Sequence, residues 1–237
     1  MVEGQGVTSL SCASSSFCVG VNSNVYSFNG SSWSVSTAAN QADPNNQPWA
    51  VSCPTSSFCA LLDDAGNALT FNGSSWSGPT QIDSELSPSA TTSIGVSCVS
   101  SSFCAGVEGT GDVLMFNGSS WSAPTDIDGS HTLNSVSCAS RSLCVAVDQQ
   151  GNAVVFNGRS WSAPAKIAGR NGVLVSVSCA PRAVCVAVGA TVGVDTDVGT
   201  GTAFIYGQAH RHGRNRHKRK NPFAPHPCGP GGTVTCG

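Results

Sequence analysis

Ten of the twelve cysteines fall into five copies of one spacing, C-x5-C: Cys12/Cys18, Cys53/Cys59, Cys98/Cys104, Cys138/Cys144 and Cys179/Cys185. Thiols so arranged can ligate a metal or oxidise to disulfides. A structural zinc site needs four converging ligands, usually at closer spacings, and His131 is the only histidine before position 208. An even count at one fixed spacing reads as local disulfides, hence an oxidising extracellular or cell-surface setting. Cys228 and Cys236, in a Pro/Gly-rich stretch, are expected to close a further small loop.

The next candidates recur with the cysteines. Trp33, Trp76, Trp121 and Trp161 end the copies of "FNGSSW" or "FNGRSW". An indole face can stack on a sugar ring, and four equivalents would give avidity; it can equally fill a gap between packed sheets, the favoured reading. Four residues after each second cysteine stand Asn22, Asp63, Glu108, Asp148 and Gly189; four before each repeated Phe stand Asn24, Asn67, Asp112 and Asn152. Such side chains can hydrogen-bond a polyol, but Asn and Asp are also what Asx-type turns require, and the turn reading is favoured.

Catalysis finds little footing. No Ser/His/Asp set assembles around His131, and carboxylate neighbours such as Asp126/Asp128 carry no readable glycosidase geometry. "DTDVG", with Asp195 and Asp197, opens like a calcium loop but lacks the third carboxylate and the distal glutamate, so a solvated loop is favoured. No catalytic residue, metal or cofactor is expected. The N-x-S triplets at Asn29, Asn72 and Asn117 are read as a by-product of turn chemistry.

These residues must be positioned by a repeat. The first cysteines stand at 12, 53, 98, 138 and 179, steps of 40 to 45 residues. In "SVSCASRSLCVAVDQQGNAVVFNGRSWSAPAKI" (135–167), turn-forming clusters separate four short strands: "SVSC", "LCVAV", "NAVVF" and "SWSAPAKI". Asn-Gly between two apolar strands is a strong hairpin signal, so the recurring "FNGSSWS" is explained by a turn without any ligand. Each cysteine pair spans a hairpin turn, where cross-strand neighbours come within bridging distance. A four-stranded unit of this length cannot bury both faces alone, which predicts an all-β propeller over a β-solenoid. The fifth copy has a third strand, "TAFIY", but no "NG..W" strand, and is read as an incomplete blade.

At "DQQGNAVVFNGRSWSAPAKI" and its siblings, residues 7 to about 207 resemble Cys-paired propeller repeats of secreted bacterial proteins, mainly of actinobacterial type. The stretch "GNALTFNGSSWS" is also similar to the blade motif of tectonin-like lectin propellers, which lack the cysteine pairs. That second likeness implies sugar binding in pockets between neighbouring blades.

The expected organisation is a propeller over 7–207, with repeats of about 7–48, 49–92, 93–132, 133–172 and 173–207, and a basic, Pro/Gly-rich flexible tail over 208–237. The body up to 207 has 13 acidic and five basic residues, a formal −8, while six basic residues crowd "HRHGRNRHKRK" (His210–Lys220). With no interleaved aromatics the tail is not a specific nucleic-acid reader, and anionic cell-surface polymers are its favoured partners. No apolar run is long enough to span a membrane, and "MVEGQGVTSL" carries no signal-peptide core, so a removed signal or an excerpt of a longer secreted chain is expected. The function expected is non-catalytic, lectin-like recognition of glycans or cell-surface polymers between blades. Its binding residues would be Trp33, Trp76, Trp121, Trp161, Asn67, Asp112, Asn152, Asp63, Glu108 and Asp148. The alternative is a scaffold or sensor ectodomain for protein partners, and third a glycoside hydrolase or lyase with an axial site.

Overall fold

The structure, a computed structural model, describes residues 6–36, 47–86, 93–180, 184–191, 200–207 and 223–226; for Thr191, 200–207 and 223–226 the backbone alone is described. The chain forms five sheets, each of four antiparallel strands in chain order. The first blade is β1 (Ser9–Ser14), β2 (Phe17–Val21), β3 (Val25–Phe28) and β4 (Trp33–Val35); the second is β5 (Pro48–Thr55), β6 (Phe58–Asp63), β7 (Asn67–Phe71) and β8 (Thr80–Gln81). The third is β9 (Ile94–Ser100), β10 (Phe103–Glu108), β11 (Asp112–Phe116) and β12 (Thr125–Asp126); the fourth is β13 (Leu133–Ser140), β14 (Leu143–Asp148), β15 (Asn152–Phe156) and β16 (Ala165–Lys166). The fifth is β17 (Gly172–Ala180), β18 (Val184–Thr191), β19 (Thr200–Gly207) and β20 (Phe223–His226). This is a β-propeller of successive meanders. The first strands lie side by side, β1 beside β5, β5 beside β9, β9 beside β13 and β13 beside β17.

The fifth sheet departs from the three strands read in the sequence. β20 pairs with β19 in the register Tyr206↔Phe223 to Ala203↔His226. Its residues come from beyond the basic segment and carry no trace of the repeat, so only pairing in space reveals them. The basic segment itself, Cys228/Cys236 and Asp195/Asp197 lie outside the described residues.

Alternation along the strands decides how blades stack. In β2, Val19 and Val21 are buried against the second blade's Val51, Cys59 and Leu61. Further on, Ala60 packs with Cys104 and Phe116, Ala105 and Val107 with Cys138, Cys144 and Ala146, and Val145 and Val147 with Cys185 and Ala187. Each successive blade thus turns its cysteine face to the blade before it, and the alternate residues of its second strand (Val, Ala or Leu) meet the blade after.

All five cysteine pairs are disulfides, with Cα–Cα distances of 3.9–4.1 Å. So close an approach belongs to non-hydrogen-bonded cross-strand pairs, in which the backbone N–H groups point away from the partner strand. The preceding blade meets those outward N–H groups. Cys53, Cys98, Cys138 and Cys179 donate to the Oγ atoms of Ser11, Ser52, Ser97 and Ser137 at 2.8, 2.9, 3.0 and 2.9 Å. A serine one residue before each first cysteine therefore fastens the next blade.

Candidate functional site

The repeated motif is a wedge built on a turn. In "FNGSSW" the glycine takes positive φ (Gly30 95°, Gly73 96°, Gly118 103°, Gly158 93°). The Asn29 Oδ1 accepts the N–H groups of Ser31 and Ser32 at 3.1 and 3.0 Å, and Asn72, Asn117 and Asn157 repeat the pattern. This fixes a four-residue loop that holds Phe and Trp together, with ring centroids 5.3–5.4 Å apart in all four copies. The wedge meets a third aromatic from the preceding blade: Phe17–Phe71, Phe58–Phe116 and Phe103–Phe156 lie 6.0, 5.9 and 6.2 Å apart.

Trp76, Trp121 and Trp161 are accordingly half-buried and pack against core clusters. The indole N–H groups of Trp121 and Trp161 are buried without a hydrogen-bond partner, as befits rings used for bulk. Trp33 differs: no aromatic of another blade stacks on its wedge among the described residues, and 39% of it is exposed. Around it stand Val7 (53% exposed), Leu10 (54%) and Val35 (45%). Val7, Leu10 and Trp33 all approach the Cα of Gly20, where an added Cβ would lie 3.3, 3.7 and 3.7 Å from them. They form one contiguous apolar patch on the cysteine face of the first blade. At the other end of the array, Val184 and Val188 expose the valine face of the fifth blade.

Two openings accompany these faces. A groove of about 480 Å³ runs between the second and third blades, lined by Phe71 and Asn72 on one side and Gly118 to Trp121 on the other. A second cavity, about 380 Å³, takes lining residues from all five first strands or their approaches, among them Thr8, Trp49, Gly95, Asn134 and Ser176. Among the described residues no charged side chain lines either opening. Trp49, 37% exposed beside the second cavity, was not singled out by motif reading because its equivalents in the other repeats are Thr8, Ile94, Asn134 and Val175. A lone tryptophan within a cysteine-bearing strand is the signal the sequence carries.

The repeated acidic and amide positions divide in two. Asp63 accepts the N–H groups of Ala65 and Asn67 at 2.9 and 2.8 Å and the Asn67 amide at 2.9 Å. Asp148 likewise accepts the Asn152 N–H and amide at 2.6 Å each, and Thr110 donates to Asp112 at 2.7 Å. These are turn contacts between second and third strands. The remaining chemistry lies between blades, where two buried carboxyl pairs meet. Asp83 of the second blade faces Glu108 of the third, and Asp128 of the third faces Asp148 of the fourth; all four are 5% exposed or less. Burial, then the Asp83 carboxyl and the charges of Asp83 and Asp112, pushes Glu108 up to about 9. Burial and the adjoining Asp148 raise Asp128 in the same direction. Asp83 and Asp128 occupy the ends of their blades and carry no cysteine-linked spacing, so the repeat did not single them out.

The fold and its sites define a β-propeller. No family model matches the chain, and no curated protein does. Solved structures do: "YCF48 bound to D1 peptide" is 14% identical with a TM-score of 0.57, covering 84% of this chain and 64% of that one. YCF48 from Cyanidioschyzon merolae is 13% identical with a TM-score of 0.51, covering 73% of this chain and 63% of that one. The likeness is one of fold, and the chain spans less than two thirds of either structure's length.

Proposed function

We propose that this propeller is a non-catalytic extracellular recognition module that binds a protein partner through the exposed apolar patch on its first blade. The observation that carries this reading is the patch of Val7, Leu10, Trp33 and Val35. Contiguous exposed apolar surface rimmed by polar residues marks interaction sites in folded proteins. The partner's chemistry follows from what each blade does to the next. It presents a β-sheet face with small aliphatic side chains, and a hydroxyl or carbonyl able to accept the Cys12 N–H as Ser11 accepts that of Cys53. A propeller of the same fold, described as bound to the D1 peptide, is consistent with a polypeptide ligand. Five disulfides are consistent with a non-reducing setting.

A second reading, glycan recognition between blades, draws on the uncharged groove beside Trp121. It has less support, because Trp76, Trp121 and Trp161 spend their faces on Phe partners and the neighbouring blade.

A photo-crosslinking residue placed at Leu10, and separately at Ser119 in the groove, tests both. Incubation of the full oxidised chain with surface proteins of its source cells should give a discrete protein adduct at Leu10, abolished by Trp33→Ala. A glycan adduct at Ser119 with none at Leu10 would transfer the function to the groove. Absence of any adduct at Leu10 would overturn the protein-binding proposal.

A further inference from the structure

The interface between the third and fourth blades holds His131, the one histidine of the first four blades among the described residues. His131 Nδ1 lies 3.8 Å from Asp128 Oδ1 and 4.0 Å from Asp148 Oδ2. These three ligand atoms, one from the end of the third blade, one from the link after it and one from the end of β14, lie within 4.8 Å of one another. Both oxygens of Asp128, a residue only 3% exposed, are buried with no N–H or hydroxyl donor reaching them among the described residues, and Oδ1 faces His131 beside the Asp148 carboxyl. A buried polar atom left unmatched is costly, and a bound ion is one of the partners that can satisfy it.

We propose that Asp128, His131 and Asp148 form a binding site for a divalent transition ion of the zinc class, which bridges the third and fourth blades. Two carboxylates balance the ion's charge, and an imidazole nitrogen selects a borderline ion over calcium or magnesium, which prefer all-oxygen sets. Ligands 2.0–2.2 Å from a tetrahedral zinc stand about 3.4 Å apart, so the two imidazole-to-carboxylate distances would contract by roughly half an ångström and the carboxylate pair would draw together with them. The surrounding shell is in place. Asn152 donates to both oxygens of Asp148 at 2.6 Å, and Asp126 Oδ1 accepts the N–H groups of Asp128 and Gly129 at 3.1 and 2.6 Å, fixing the loop that carries the ligands. His131 is itself exposed, with 46% of its side chain reaching solvent, so an ion can enter and a water can complete the coordination. The preceding interface supplies an internal control, since Asp83 and Glu108 face each other there without an imidazole among the described residues.

The test must separate this site from His210, His212 and His217 of the basic segment, which can bind zinc by themselves. The full oxidised chain carrying His210→Ala, His212→Ala and His217→Ala is freed of metal and titrated with zinc chloride by calorimetry, then with cobalt for its visible absorption. One equivalent of zinc is expected, with a rise in thermal midpoint and a cobalt spectrum of low coordination number. Adding His131→Ala, an exposed change that leaves the fold intact, is expected to weaken binding at least tenfold and remove the midpoint rise. Glu108→Gln should alter neither. Zinc binding unaffected by His131→Ala, or none once the three tail histidines are gone, would overturn the proposal.

Discussion

A single N–H shows how far position alters identical residues. Cys53, Cys98, Cys138 and Cys179 each donate to a serine of the preceding blade, whereas among the described residues no hydroxyl reaches Cys12. Cys12 is exposed, while Cys59, Cys104, Cys144 and Cys185 are wholly buried. Thiol–disulfide exchange requires access to sulfur, so Cys12–Cys18 should open first. Mild reduction followed by alkylation and peptide mapping is expected to label this pair before those at the second, third and fourth blades. Its loss should cost about 2 kcal/mol on the loop-entropy scale. Glu108 offers a second test. The native protein keeps its proton up to about pH 9, while an unfolded glutamate releases its proton near pH 4.3. The native state therefore binds more protons within that window, and stability falls as pH rises through it. Glu108→Gln cannot ionise, so its unfolding midpoint should depend less on pH and exceed the wild type's by roughly 3–5 °C at pH 9. Thermal melts at pH 5, 7 and 9 measure this.

At the scale of strands and turns, the blade is held by close backbone approaches as well as by its staple. Gly66, Gly111 and Gly151 turn second strands into third strands at φ of 74°, 94° and 78°. Each abuts the loop that ends the blade, and a Cβ on Gly111 would lie 2.0 Å from the Gly129 carbonyl oxygen. Gly111→Ala therefore meets backbone strain and a clash that no side-chain rotation relieves, and should cost on the order of 2–3 kcal/mol. Denaturant unfolding with an unchanged m-value would confirm a native-state effect. These hairpins were legible from "DQQGN" and its relatives, because turn chemistry is local. β20 was not, since Phe223–His226 joins the fifth sheet through hydrogen bonds to β19 across an intervening stretch that has no repeat pattern.

Across the whole molecule, the same heptapeptide does different work in different blades. Trp121 is wedged beside Phe116 and against Leu62 of the preceding blade, whereas Trp33 stands 39% exposed. Trp121→Ala should therefore cost about 3 kcal/mol or more. Trp33→Ala should stay near 1 kcal/mol or below and act on partner binding instead. Paired chemical denaturation of the two variants distinguishes them, and equal losses would contradict the asymmetry of the array.

Residue order alone determined the all-β class, the five cysteine pairings and the four-stranded unit, because each rests on contacts between residues close in the chain. Asn-Gly turns, two-residue alternation and a fixed cysteine spacing are local signals that repetition amplifies over four or five copies. Which face of each blade looks forward, which tryptophans are spent on packing and which stays exposed depended on neighbours some 40 residues away. So did the meeting of Asp128, His131 and Asp148, whose chain spacing resembles no metal motif. Their convergence arises only when the end of one sheet is laid against the second strand of the next, and the tertiary structure alone decides that contact.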